Sequence, residues 1–134
     1  MEWKLELVVV PVSNVDRAKS FYTEKVGFDE DHDHRASDEF RVVQLTPPGS
    51  ACSIAIGTGL SDMPPGSAQG LQLVVSDIEA AHAELVERGV EVSDVQHFDG
   101  HDWKPGGSGD WNSFVFFSDP DGNGWAVQQG PAYS

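Results

Sequence analysis

The hydrophobic pattern of this chain contains one arrangement twice, with the two copies sixty-three residues apart. In each copy an apolar, valine-rich run (residues 5–12 and 70–75) leads into a stretch whose apolar residues recur at helical spacing, and a glycine (Gly27 or Gly89) follows that stretch. An apolar run, then helical periodicity, then glycine is typical of a strand followed by a helix. Self-similarity at this period predicts a duplicated β-α-β unit. The matching apolar positions are Val12 with Val75, Val15 with Ile78, and Tyr22 with Leu85.

Both helices have a start signal in the sequence. Ser13 is followed three residues later by Asp16, and Ser76 is followed three residues later by Glu79. A serine at the cap with an acidic residue at this spacing forms a capping box. We therefore expect the two helices to begin at these serines.

The remaining segments predict three further strands in each half. In the first half these are a highly charged edge strand (residues 28–35) and strands at 40–46 and 51–57. In the second half they lie at 90–95, 112–117 and 125–129, and the glycine-rich residues 96–111 are predicted to form a long structureless loop. We predict one domain of two tandem modules: residues 1–58, a linker at 59–69, and residues 70–134.

The composition restricts the partners. Asp and Glu outnumber Lys and Arg by 22 to 8, so the net charge of −14 disfavours binding to nucleic acid and to anionic membranes. No apolar run reaches the length of a membrane span, and the first residues lack the layout of a signal peptide. Cys52 is the single cysteine, as is typical of a reducing compartment. We therefore expect a cytoplasmic protein.

Two motifs resemble a known superfamily. The helix-start sequence from Val12 to Tyr22 and the turn sequence from Phe117 to Trp125 (Phe-x-Asp-Pro-Asp-Gly-Asn-x-Trp) resemble those of the vicinal oxygen chelate superfamily. This group includes glyoxalase I, extradiol dioxygenases, fosfomycin-resistance enzymes and bleomycin-resistance proteins. The resemblance implies an α+β fold of two βαβββ modules, related by a pseudo-two-fold, whose curved mixed sheets form a concave cup with the helices on the convex side.

The resemblance also implies where a divalent metal would be held. Enzymes of the superfamily use one side chain from the first and last strand of each half, and the matching positions here are Leu7, Ala55, Gly70 and Ala126, with Ser53 as the alternative to Ala55 if the match shifts by two residues. Leucine, alanine and glycine have no side-chain donor for such an ion. We therefore expect no metal at these positions and no other cofactor.

The lining of the cup follows from strand alternation, because residues two apart on a strand share a face. With Val43 and Leu45 assigned to the core, the neighbouring residues of that strand face the cup. The two tryptophans of the predicted loop are expected to close over the second cup as a lid. The predicted ligand-binding residues are Phe40, Gln44, Gln72, Trp103, Trp111 and Gln128.

These observations leave three functional hypotheses open. The first is a metal-free, homodimeric protein, similar to the bleomycin-resistance branch, that binds a planar or amphipathic small molecule. The second is a divergent enzyme, such as an isomerase or lyase, that uses His97, His101 or Asp110 for acid-base chemistry or holds a relocated metal. The third is an oligomerising module with no ligand.

Overall fold

The computed structural model describes residues 1–131, so the last three residues of the predicted second module lie outside the described part of the chain. The described residues form two compact units. The first unit consists of Met1–Ala68 together with Asp119–Asn123, and the second consists of Gln69–Ser118 together with the chain from Gly124 onward. The five residues of the Asp119–Asn123 turn therefore belong to the first unit, although they connect two strands of the second.

The first unit has the predicted β-α-β-β-β order. Its sheet has the strand order β1-β4-β3-β2, with β1 parallel to β4 and the other neighbours antiparallel. The charged segment is the edge strand, as predicted. The elements are β1 (Leu7–Val9), α1 (Val15–Ser20) with a π-helical continuation (Phe21–Lys25), β2 (Asp29–Ser37), β3 (Phe40–Thr46) and β4 (Ser53–Thr58).

The second unit contains a helix and a five-stranded sheet. The strand order is β5-β9-β8-β6-β7, with β5 parallel to β9. Two mixed sheets with few helices confirm the predicted α+β fold class. The elements are β5 (Leu71–Val75), α2 (Ile78–Glu87), β6 (Gln96–Phe98), β7 (Trp103–Pro105), β8 (Ser113–Ser118) and β9 (Gly124–Gln129). None of the helices among residues 1–131 is long and apolar enough to cross a membrane.

Two predictions in the second half, one of a strand and one of a loop, are wrong. Residues 90–95 form no strand and contribute one isolated bridge, between Val92 and Phe117. Residues 96–111 are not a structureless loop, because β6 and β7 pair as a hairpin that adds two strands to the sheet. Both strands have three residues, which is too short for hydrophobic periodicity to reveal them.

Two local boundaries also differ from the prediction. The first strand is limited to Leu7–Val9, because its neighbour β4 begins at Ser53, opposite Leu7. The helix caps lie one residue later than the predicted serines. Asn14 and Asp77 have extended backbones, and their side chains accept hydrogen bonds from the third amide of the following helix.

The core of each unit lies between its helix and one face of its sheet. Tyr22 and Leu85, the predicted inward positions of the two helices, are buried, with exposures of 0% and 7%. On β3, Val43 and Leu45 are fully buried, whereas the alternate residues Val42 and Gln44 face the other way. We call the sheet face directed away from the helix the open face, and it carries most of the predicted ligand-binding residues.

Candidate ligand-binding site

The open face of the second sheet is set by strand register. Paired residues share a face, and the register pairs Phe114 with Gln128 and Phe116 with Ala126, while Gln72 on β5 also pairs with Ala126. The intervening residues of β8 are buried on the helix side. The open face therefore carries Gln72, Val74, Gln96, Phe114, Phe116, Ala126 and Gln128.

Four aromatic rings form a contiguous group on this face, which we call the aromatic platform (Phe98, Trp103, Phe114 and Phe116). The ring centroids of Trp103 lie 5.4 Å from Phe98, 5.5 Å from Phe114 and 5.7 Å from Phe116. Phe114 and Phe116 are nearly parallel, with centroids 5.8 Å apart. These separations are those of favourable aromatic pairs. Phe98 and Trp103 remain 40% and 48% exposed, so the platform presents ring surface to solvent.

An amide pair (Gln72 and Gln128) lies beside the platform on the same face. The Gln72 Nε2 atom donates to Gln128 Oε1 over 2.6 Å, and Gln128 Nε2 donates to the backbone carbonyl of Trp111 over 2.8 Å. Ala126 lies between Gln72 and Phe116 across the sheet. Because its side chain is small, the surface has a shallow depression between the Gln72 amide and the Phe116 ring. The arrangement combines flat apolar surface with groups that both donate and accept hydrogen bonds.

Trp111 lies at the end of this amide row. Its backbone N–H donates to the Gln129 carbonyl over 2.6 Å, and its side chain is 52% exposed. The indole lies against Gly130, where an added Cβ would come within 3.0 Å of the ring and 2.9 Å of Val74. Trp111 therefore covers the β5 edge of the open face, whereas Trp103 belongs to the paired strand β7. Movement of the segment as a lid stays a prediction.

The electrostatic environment of the second unit is acidic. Arg88 and Lys104 are the only Lys and Arg among its described residues, against nine Asp and Glu. Both cations are paired: Arg88 with Glu84 at 3.5 Å, and Lys104 with Asp99 at 2.7 Å. The pKa of Asp99 is lowered to about 2 by the Asp102 backbone N–H, Lys104 and the His101 backbone N–H. The described unit therefore has no unpaired Lys or Arg with which to attract an anion.

The open face of the first sheet is more polar. Gln44 and Thr46 both donate to Asp31, and Thr46 also lies 2.6 Å from the Ser53 hydroxyl. Gln44 is thus already held by its neighbours, while Phe40 is 39% exposed at the start of β3. The structure therefore divides the predicted ligand residues, with Phe40 and Gln44 in the first unit and the other four in the second.

A family model describing the Glyoxalase/Bleomycin resistance protein/Dioxygenase superfamily matches residues 4–127, which is nearly the whole chain. The chain belongs to this superfamily. The resemblance inferred from the helix-start and turn motifs is confirmed.

Individual known proteins are similar to this chain over nearly their full length. The crystal structure of TnmS3, an antibiotic binding protein from Streptomyces sp. CB03234, has a TM-score of 0.77 and 37% identity, covering 98% of both chains. A glyoxalase/bleomycin resistance protein from the same organism has a TM-score of 0.74 and 38% identity, covering 94% of this chain and all of that one. The uncharacterized protein YetH of Bacillus subtilis (strain 168) is 31% identical over 125 residues, which is 91% of this chain and 94% of YetH.

The four positions that the family resemblance implied as metal ligands carry no side-chain donor for a metal ion. Leu7 and Ala55 lie on the open face of the first sheet, and Ala126 lies on that of the second. Gly70 precedes β5 with a positive φ of 80°. Within residues 1–131, no group of three or more His, Cys, Asp or Glu side chains is arranged to hold a metal ion. The side chains present therefore supply no donor set at these positions.

The predicted acid-base residues are not brought into one cluster. The His97 Nδ1 atom lies 2.7 Å from the Gly106 carbonyl oxygen, and its strand neighbours Gln96 and Phe98 point to the opposite face. Asp110 accepts a hydrogen bond from Gln129, on the helix side of β9. His101 is exposed in the turn of the β6–β7 hairpin. The enzyme hypothesis stays a prediction.

Three rings of the platform were absent from the predicted site: Phe98, Phe114 and Phe116. A signal for two of them exists in the sequence, because Phe114 and Phe116 are two residues apart on a strand and must share a face. The turn that follows β8 pairs it with β9, so parity could have linked these rings to Gln128. Phe98 had no such signal, because its strand was not recognised.

Proposed function

We propose that this chain is a small-molecule binding protein whose ligand is a planar or amphipathic compound held on the open face of the second sheet, without a metal ion. The observation that carries the proposal is the aromatic platform beside the amide pair. A flat ring system can stack on Trp103 and its neighbours, while carbonyl, hydroxyl or amino groups at its edge reach Gln72 and Gln128.

The similarity to TnmS3 supports a binding role. That protein is described as antibiotic binding, and the similarity extends over 98% of both chains at 37% identity. This similarity favours a related binding function, and the ligand is argued from the site because one fold hosts many chemistries.

The charge of the second unit supports a cationic ligand over an anionic one. Both of its described Lys and Arg side chains are engaged by carboxylates, and the remaining acidic residues outnumber them. An acidic surface raises the local concentration of cations, and a cation over an aromatic face gains a further attraction.

The protein is also proposed to act as a homodimer. Closed two-fold pairing is the commonest assembly of soluble proteins. In the first unit, three large apolar side chains (Met1, Trp3 and Leu5) are between 71% and 102% exposed. Exposed apolar side chains grouped in this way are typical of a protein–protein interface.

The ligand proposal predicts a preference between two planar dyes of similar size and opposite charge. Isothermal titration calorimetry should show binding of 9-aminoacridine, a cation, and weaker or absent binding of anthracene-9-carboxylate. Phe98→Leu and Trp103→Leu should each weaken 9-aminoacridine binding about 2- to 10-fold, because aromatic stacking contributes about 0.5–1.5 kcal/mol per pair.

Phe40→Leu is the matched control, because Phe40 is as exposed as Phe98 but lies in the first unit. The affinity of this variant for 9-aminoacridine should equal that of the wild type. Treatment of the wild type with EDTA should leave its affinity for 9-aminoacridine unchanged. A loss of affinity on Phe40→Leu alone would move the site to the first sheet. Binding that disappears with EDTA would overturn metal independence, and binding of neither dye would count against a planar ligand.

A further inference from the structure

The side chain of Asn112 contains a buried acceptor that no donor satisfies. Its Oδ1 atom is buried and has no hydrogen-bond partner among residues 1–131. The Nδ2 atom of the same amide donates to the Phe98 carbonyl over 3.4 Å. Turning the amide over would bring Oδ1 against that carbonyl, so that two acceptors would face each other. A buried acceptor without a donor lowers stability, and its presence therefore calls for a physical reason.

Asn112 lies beside the aromatic platform on the open face of the second sheet. It directly precedes β8, and the Phe98 N–H donates to its backbone carbonyl over 3.1 Å, so the pairing of β6 with β8 continues through Asn112. Alternation places Asn112 on the same face as Phe114 and makes Phe98 its neighbour across the strands. Phe98 pairs in turn with Trp103 on β7. Asn112 therefore lies at the inner end of a row of rings.

An amide oxygen at this place selects for a hydrogen-bond donor. Such an oxygen accepts hydrogen bonds but cannot donate one. A hydrogen bond with a charged donor is roughly twice as strong as one between neutral groups. The two described cations of this unit, Arg88 and Lys104, are already engaged by carboxylates. The donor that fits both the oxygen and the acidic surroundings is a cationic N–H group of a ligand.

The neighbouring ring of Phe98 is placed to cover the oxygen and to move away from it. Phe98 lies on β6, which has three residues, and the outermost strand β7 also has three. Its side chain is 40% exposed. Segments with few backbone hydrogen bonds and few buried contacts open locally at a low free energy. A compound that stacks on the platform can therefore displace Phe98 and reach Oδ1.

We propose that Asn112 selects the ligand, because its Oδ1 atom accepts a hydrogen bond from an amino or amidinium group on the edge of a planar ring system stacked on the aromatic platform. The inference rests on the proposed function and narrows the ligand class to planar cations that carry an N–H donor. The ligand supplies the donor that residues 1–131 do not provide. An acceptor kept without a partner beside a binding surface lowers stability, and a role in binding explains why it is present.

Isothermal titration calorimetry with two planar cations of similar size tests the hydrogen bond. 9-Aminoacridine carries N–H donors, whereas 10-methylacridinium has the same charge and no N–H group. The wild type should bind 9-aminoacridine about 10-fold more tightly, because it gains a hydrogen bond from a charged donor. Asn112→Leu should bind the two dyes with about equal affinity, and its affinity for 10-methylacridinium should stay within about twofold of the wild-type value.

Urea unfolding without a dye separates this role from a structural one. Asn112→Leu removes an acceptor that residues 1–131 leave unsatisfied, so its unfolding midpoint should equal or exceed that of the wild type. Thr46→Val is the matched control on the open face of the first sheet. It removes a hydroxyl that is hydrogen-bonded to Asp31 and Ser53, and it should lower the midpoint. A similar fall for Asn112→Leu would make the amide a structural group and overturn the inference.

The dye measurements also separate this inference from the proposed function. Equal binding of both dyes by the wild type would refute the selection by Asn112 but keep the planar-ligand proposal. The same holds if Asn112→Leu retains the preference for 9-aminoacridine. An equal loss of affinity for both dyes in this variant would show a disturbed platform and would also refute the selection. Binding of neither dye by the wild type would refute both proposals.

Discussion

Trp111 is the only non-glycine residue between 1 and 131 with a positive φ, at 71°. A left-handed backbone costs a bulky residue about 1–2 kcal/mol. Two bonds hold it there: its N–H donates to the Gln129 carbonyl, and its own carbonyl accepts from the Gln128 amide. The backbone conformation of Trp111 is therefore coupled to the amide pair of the proposed site.

A pair of substitutions at Trp111 measures this strain. Trp111→Ala and Trp111→Gly both remove the indole contact with Gly130 and Val74, but only glycine adopts a positive φ without cost. We expect the glycine variant to be more stable than the alanine variant by about 1 kcal/mol, measured by urea unfolding. Equal stabilities would show that the backbone relaxes once the ring is removed.

At the scale of elements, the turn Asp119–Asn123 is held in the first unit by buried hydrogen bonds to Tyr22 and Pro11. Asp119 is 5% exposed, and it accepts hydrogen bonds from the Tyr22 hydroxyl at 2.7 Å and from the Asn123 side-chain amide at 2.8 Å. Asn123 is fully buried, and its amide also donates to the Pro11 carbonyl at 2.8 Å. The turn motif that carried the family resemblance therefore has a structural role in this chain.

Removal of one hydroxyl tests the contribution of this turn. Tyr22→Phe should lower the free energy of unfolding by about 1–3 kcal/mol, because it takes a donor from a buried carboxyl group without changing the packing of the ring. Thr23→Val is the control: its hydroxyl donates to the Lys19 carbonyl of the preceding helical turn and should contribute less than about 1 kcal/mol. Similar losses in both variants would contradict a special role for Asp119.

The β6–β7 hairpin is the element that sequence patterns missed. Its turn is organised by Asp99, whose carboxylate accepts hydrogen bonds from the backbone amides of His101 and Asp102 at 2.9 and 2.8 Å. Local bonds of this kind are common for aspartate in turns. The two strands are joined through the Phe98–Trp103 pair, which also rests on β8. Pairing with β8 therefore orders a segment whose own sequence has no strand periodicity.

At the scale of the whole molecule, the net charge of −14 makes the ion pairs of the buried cation Arg41 important. The guanidinium of Arg41, 8% exposed, donates to Asp33 at 3.0 and 2.7 Å and pairs with Asp16 at 2.9 Å. Arg41, followed by Lys19, lowers the pKa of Asp33 well below its usual range. A carboxyl group with a lowered pKa stabilises the fold above its unfolded pKa of about 3.9, and this stabilisation is lost as the pH falls through the lower folded value.

The acid stability of the protein should therefore depend on Asp33. Asp33→Asn should destabilise the fold at pH 7, because Arg41 loses a bidentate carboxylate partner. The difference in unfolding free energy between wild type and variant should stay constant from pH 7 to about pH 5 and shrink below about pH 4. Urea unfolding at a series of pH values measures it, and a difference that does not change down to pH 3 would contradict the lowered pKa.

The sequence by itself determined the family and most of the elements, because both depend on patterns within short segments. Helical spacing placed Tyr22 and Leu85 inward, and the alternation along β3 separated Val43 and Leu45 from Phe40 and Gln44. Each of these assignments needs only the periodicity of the element and the knowledge of which face is apolar.

Only the tertiary structure decided which side chains meet. Phe98, Trp103, Phe114 and Phe116 form one surface because β6, β7 and β8 pair in a particular register, and a shift of one residue would turn Phe114 and Phe116 to the other face. The pairing of Lys104 with Asp99 likewise depends on a turn that no periodicity marks. Strand register and ion pairing are set by contacts between segments, and the pattern of a single segment does not contain them.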